Sequence, residues 1–275
     1  MVLSLEPVNR TLVATALLSV LAVDVFAWPA TITQSLIRDA RRLVPRSLGL
    51  LLLEREDQVV AEAQRFPPEL YQAVATDLAT GTLQPETLAA LDAHAREAVD
   101  LLRQRRINEG IVRLGALLRI PADLSDPVLS AGPEGYAPGV VREYYAFVEG
   151  NLDKIPVVLD DPDALKMESR RLAVYWQGLV VRSRAQSGLI GSELFQRGRV
   201  VSHTSLDWHS PVFSVASLSY SRAVTAIAAT WIALWRDVRG DVTRQPQPVI
   251  LAPKDAPPEA AASPGPRPEL EASRP

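Results

Sequence analysis

Arg113–Pro127 reads RLGALLRIPADLSDP. Within it, and in the residues just before it, Val112, Leu114, Leu117 and Leu118 recur at helical spacing, so Gly110–Ile120 is expected to be a helix. Pro121 then opens a stretch punctuated by Pro127, Gly132, Pro133, Gly135, Pro138 and Gly139, which reads as a long loop region. Upstream, Leu88, Leu91, Ala95, Ala98, Val99 and Leu102 lie on one face of a helix over Glu86–Leu102, ahead of basic Arg103–Arg106. Pro67-Pro68 is a break, and Leu48–Leu53 and the Leu36, Ile37, Ala40, Leu43 face mark earlier helices. Downstream, Val140–Gly150 is aromatic, and the cluster Asp160–Asp163 supplies caps for a helix over Ala164–Ala185. Ala216–Val238 is the last helix. Its stripe of Val224, Ile227, Ala228, Trp231, Leu234 and Trp235 is broad enough to suggest a membrane span, but Arg222 and several Ser and Thr side chains favour a buried core helix. Only Ile155–Leu159 has a trace of strand alternation, so the fold class is all-α, a single multi-helix domain over residues 28–240.

The two ends differ from this domain. Met1–Arg10 is polar, Thr11–Val23 is an apolar run, and Val25-Phe26-Ala27 puts small or aliphatic residues at the −3 and −1 positions of a cleavage site. The apolar run would be about 20 Å long as a helix, short of a bilayer core of about 30 Å. Residues 1–27 are therefore read as a signal peptide, and the protein as exported, periplasmic or extracellular, beginning at Trp28. No stable membrane span is expected in the mature chain. Residues 241–275 are read as a disordered Pro/Ala-rich tail, because Gln245–Pro275 holds nine of the 22 prolines and few large apolar residues.

Composition removes several kinds of chemistry. The chain has no cysteine, which excludes disulfides, thiol nucleophiles, cysteine metal ligands and a lipid anchor on cysteine. A net charge of −3 over 275 residues implies no polyanionic partner for the molecule as a whole. No G-x-S-x-G elbow, P-loop, dinucleotide fingerprint or H-E-x-x-H motif occurs. The three histidines, His94, His203 and His209, restrict acid–base and metal chemistry further. His203 and Asp207, in HTSLDWHSP, could hold a metal but read better as a polar loop before a helix. Between Ala164 and Arg199, seven basic residues accompany two acidic ones. That excess could meet the phosphates of a lipid or a nucleic acid, although a solvated helix face is the commoner meaning. Tyr144, Tyr145 and Phe147 read as core.

A start at Trp28, an all-helical chain and the phrase RLGALLRIPADLSDP together resemble the superfamily of zinc-dependent phospholipases C and single-strand-specific zinc nucleases. In that family the amine and carbonyl of the leading tryptophan bind zinc. A helix with the pattern L-G-x-x-x-H-x-x-x-D-x-x-x-P-x-H brings three more ligands, and a later H-x-x-x-E brings two. Residues four apart share a helix face, so each pair aims at one metal cluster, and zinc so held activates water for attack on a phosphodiester. Carried onto this chain, the resemblance makes Trp28, Asp123 and Glu149 the retained metal ligands. The early histidine falls on Thr33, and an aspartate after a proline falls near Pro68 and Glu69. The first histidine of the central motif becomes Arg119, Pro127 is kept, and the motif's last histidine becomes Leu129. The H-x-x-x-E pair becomes Tyr145 and Glu149.

A guanidinium stays protonated and cannot ligate zinc. One turn from Asp123, Arg119 can instead pair with it and take over the structural role of a metal. The sequence thus points to a binding or scaffold protein on a catalytically degraded framework, with Arg119, Asp123, Tyr145 and Glu149 as its binding residues and with no cofactor. The alternatives are an active metal-dependent phosphodiesterase, with zinc in a reduced site, and an envelope structural protein spaced by its Pro-rich tail.

Overall fold

The computed structural model of the protein describes residues 28–132 and 135–242. The expected signal peptide, and all of the expected tail beyond Val242, lie outside the described residues. The chain is all-α. Eight of its helices fall in the first half and early middle: α1 (Ala30–Arg41), α2 (Arg46–Leu53), α3 (Glu56–Ala63), α4 (Pro68–Thr80), α5 (Pro85–Arg103), α6 (Ile107–Ala116), α7 (Arg119–Leu124) and α8 (Pro127–Ala131). They are followed by α9 (Val140–Gly150), α10 (Leu172–Leu194) and α11 (Pro211–Asp237).

Prolines begin several of the helices, including Pro68 and Pro127, which read as a break and a loop residue in the sequence. Pro68, Pro85, Pro127 and Pro211 each occupy the first helical position, where a missing N–H costs nothing. The first part of the expected loop region, from Pro121 to Ala131, is therefore largely helical, while residues 135–139 are irregular as expected. α6 stops at Ala116, and the chain re-enters a helix at Arg119 with Pro121 in its first turn. Asp126 caps α8 by accepting the N–H of Val128 at 2.8 Å. Gly115 lets α6 lie directly on α3, since a Cβ there would sit 2.5 Å from a methyl of Val59.

α11 is the centre of the protein. Every residue from Ser219 to Leu234 is buried, against α1, α7 and α10 among others. It is long and apolar enough to cross a membrane, but 78% of that stretch is covered by the protein itself. A helix apolar all round is a core helix once other helices surround it.

Two more expectations are corrected. Ile155–Leu159 has a single bridge position, at Val157, and joins no sheet among the described residues. α11 supplies part of its hydrogen bonding: Val158 N–H donates to Ser221 Oγ at 3.2 Å, and just beyond it Asp160 N–H donates to Thr225 Oγ1 at 3.3 Å. The helix expected over Ala164–Ala185 starts later, at Leu172, after two short 3₁₀ turns at Pro162–Lys166 and Ser169–Arg171. The Arg236 guanidinium donates to the carbonyls of Leu165 and Met167, both at 2.8 Å, and so occupies acceptors that a continuous helix would use. After α10, Phe195–Gln196 pairs with Arg199–Val200 around Arg197 and Gly198, both at positive φ, in a tight hairpin the sequence reading does not contain.

Candidate functional site

Five elements converge on one buried polar cluster. Trp28, just before α1, is 3% exposed, and its indole N–H donates to the carbonyl of Ala122 in α7 at 3.0 Å. Its ring meets that of Tyr145 edge-on, with centroids 6.0 Å apart. The Thr33 hydroxyl, one turn into α1, donates to the Trp28 carbonyl at 3.1 Å. In α7, Arg119 Nε donates to Asp123 Oδ2 at 2.6 Å across one helical turn. From α4, the Tyr71 ring lies under the same guanidinium, 5.5 Å from its carbon. From α9, the Tyr145 hydroxyl donates to Asp126 Oδ2 at 2.6 Å.

The electrostatics are those of a closed interior. Burial raises the pKa of Asp123, opposed by the charge and hydrogen bond of Arg119. Burial also pushes Asp126 up to about 7, against the hydrogen bonds from Tyr145 and the Val128 amide and with help from the charge of Asp123. Tyr145 and Tyr71 are raised by burial first and then by the neighbouring aspartates. Asp123 Oδ1 is sealed from solvent and accepts no hydrogen bond.

Of the residues singled out in the sequence, Trp28, Arg119, Asp123 and Tyr145 belong to this cluster. Glu149 does not: it is exposed on the outer part of α9, where it accepts a hydrogen bond from the Thr31 hydroxyl. Leu129, at the position of the motif's last histidine, is buried apolar core, while Glu69 is exposed at the start of α4. His94 packs edge-on against Phe66, with Glu97 3.9 Å away, and its pKa is lowered by burial and then by Arg113. His203 and Asp207 do not converge. His203 Nδ1 lies 2.7 Å from Glu143 Oε2, whereas Asp207 accepts the His209 amide at 2.9 Å.

Tyr71 and Asp126 are the members that sequence reasoning missed. Asp126 had a usable signal, three residues from Asp123 and directly before a proline. Tyr71 had none, because α4 meets α7 only in the folded chain.

The zinc donor set does not fit. Zinc needs deprotonated N, O or S donors within about 2.3 Å of a shared centre. Here the Asp123 carboxylate is held by a permanent cation, the Trp28 carbonyl by a threonine hydroxyl, and Glu149 by Thr31 at the surface. Among the described residues, no three His, Cys, Asp or Glu side chains group to hold a metal ion. Several of the basic residues of 164–199 already have partners within the protein. Arg184 donates to the carbonyls of Leu78, Ala79 and Ser130, Lys166 pairs with Asp163, and Arg170 with Glu168. No protein-family model, curated protein or solved structure matches the chain.

Proposed function

We propose that this chain is a non-catalytic binding or scaffold protein of the cell envelope or the extracellular space. Its framework is of the zinc-dependent phospholipase C and nuclease type, with an arginine in place of the metal. One observation supports this most directly. Arg119 reaches Asp123 inside a cluster that also holds Trp28, and those three positions are metal-binding positions in the resembled family. The guanidinium performs the tethering that a cation performs there: it neutralises Asp123 and joins α7 to α4 through Tyr71. A permanent cation with no open coordination position cannot activate water, so the framework keeps the shape and loses the hydrolytic centre.

Metal analysis of mature protein beginning at Trp28 tests this reading. The expected result is zinc far below one ion per chain and no phosphodiester hydrolysis. Stoichiometric zinc, with hydrolysis abolished by Asp123→Ala, would overturn it in favour of an active phosphodiesterase.

A further inference from the structure

A groove of about 650 Å³ lies between α10 and the 3₁₀ turn at Pro162–Lys166, and none of the cluster residues around Arg119 lines it. Its size is that of a small-molecule site, typically about 300–1,000 Å³. One wall is the outer face of α10, where Val174 is 74% and Val181 56% exposed, one two-turn step apart, with Gly178 between them. Met167 and Tyr175 complete the apolar lining. Such side chains gain nothing from water, and here they sit together in a concave surface.

The groove is lined by three cationic side chains, Lys166, Arg171 and Arg182, and two carboxylates, Asp161 and Asp163. Asp160 Oδ2 lies 3.4 Å from Arg222 Nε and 3.7 Å from the Arg182 guanidinium, so two cations share one carboxylate oxygen. Arg222 is buried behind the groove, and its pKa is lowered by burial and, in part, by Arg182. Arg182 lines the groove, packs over Tyr175, and has a buried Nε with no hydrogen-bond partner. At the rim, Lys166 and Asp163 neutralise each other at 3.0 Å, and Asp161 is turned to the amide of Ala164. Arg171 lines the groove, exposed and without an ion pair among the described residues.

We infer that this groove binds a single-chain amphiphile with an oxyanion head group. The head, a carboxylate or a phosphate, pairs with Arg182, and the chain lies along Gly178, Val174 and Met167. The anion gives Arg182 a partner of its own, since the carboxylate nearest it, Asp160, is shared with Arg222. This inference is independent of the Arg119 cluster.

The test is calorimetric titration of the full mature chain with dodecyl phosphate and with dodecanoate, each below its micelle concentration. Inorganic phosphate and a dodecyl sugar with a neutral head serve as comparators. One amphiphile per chain is expected, with the better of the two anionic heads identifying the chemistry. Arg182→Gln should weaken binding at least ~10-fold, in line with the strength of a charged hydrogen bond. Val174→Asp, at a position exposed enough to leave folding intact, should weaken it comparably. Equal binding of the dodecyl sugar would mean a plain apolar surface, and equal binding of inorganic phosphate a simple anion site. Either result, or unchanged affinity in the Val174→Asp protein, would overturn the inference.

Discussion

The protein buries two arginine–aspartate systems, and they are built in opposite ways. Arg119 and Asp123 are four residues apart on α7, with one cation on one carboxylate. Asp160 and Arg222 are 62 residues apart, and Arg182 brings a third element to the same carboxylate. The first pair is balanced and made by local helix geometry. The second is over-cationic, and only the tertiary fold assembles it. A balanced local pair can close a site, whereas an unbalanced long-range one leaves a charge that a ligand can meet.

The sharpest way to break this contrast is to remove Asp160. Asp160→Ala leaves two guanidiniums facing each other, one of them 4% exposed. Removing one partner of a buried pair typically costs about 3–5 kcal/mol, because an uncompensated charge stays behind. Urea unfolding of Asp160→Ala should show a loss of that size. Arg222→Met should cost less, since Arg182 remains for Asp160. The reverse order would mean that the two cations are not competing.

The local pair should be the weaker of the two. Asp123→Asn leaves Arg119 partly solvated, at 21% side-chain exposure, and still stacked on Tyr71. A loss of about 2 kcal/mol is expected, below the figure for a fully buried pair. The double replacement Arg119→Met with Asp123→Leu should recover most of it, since apolar groups of similar size often substitute for buried ion pairs without loss. Chemical denaturation of the three variants decides this. No change in stability in Arg119→Ala would remove the structural role assigned to that residue.

These two systems also explain how far the chain could be read in advance. The all-α class, the extent of α5, the existence of α11 (though it starts at Pro211, five residues before the expected Ala216) and the Arg119–Asp123 pairing follow from spacings of three and four, which are local properties. The helical identity of 119–131 was hidden because Pro121 and Pro127 act as first-turn residues, and a proline read alone looks like a break. Asp160 looked like a helix cap, and nothing near it in sequence announces Arg222. Tyr71 and Arg182 reach their partners by packing between helices, which no periodicity records. Glu149 lies outside the buried cluster for a related reason: four-residue spacing places it one turn from Tyr145, yet Tyr145 faces Asp126 while Glu149 is exposed at the surface.

pH sharpens the comparison further. Asp126 is raised to about 7 in the fold from an ordinary value near 3.8. Between those values the folded state holds a proton that the unfolded state has released, so this group's contribution to stability falls as pH rises from about 4 to about 7. The slope is at most about 1.4 kcal/mol per pH unit. Asp123 has the same sign. Asp126→Asn should therefore flatten the decline, and its stability relative to the unmutated chain should be better at pH 8 than at pH 4. Parallel pH profiles would show that Asp126 is charged throughout.

The smallest effect is expected where a carboxylate sits at the margin of the fold, and its sign is opposite. Glu143 on α9 accepts hydrogen bonds from the backbone amide and the ring of His203, which hold its pKa down to about 2 from an ordinary value near 4.5. A depressed carboxylate contributes stability that is complete above about 4.5 and is lost as pH falls through about 2. Glu143→Gln should therefore lose a little stability at pH 6 and progressively less between pH 4.5 and 2, where the two proteins converge. A carboxyl carbon titration by NMR should place the Glu143 midpoint near 2. A midpoint near 4.5 would mean that His203 is not held, and that the loop from Ser202 to Ser210 is positioned by its own turns rather than by α9. Asp126 should thus grow more favourable to the fold as pH falls from about 7 to about 4, and further acid, below about 4.5, should weaken this outer contact. The margin and the interior of one domain would then respond to pH in opposite directions, because hydrogen bonds to the charged form dominate at Glu143 and desolvation dominates at Asp126.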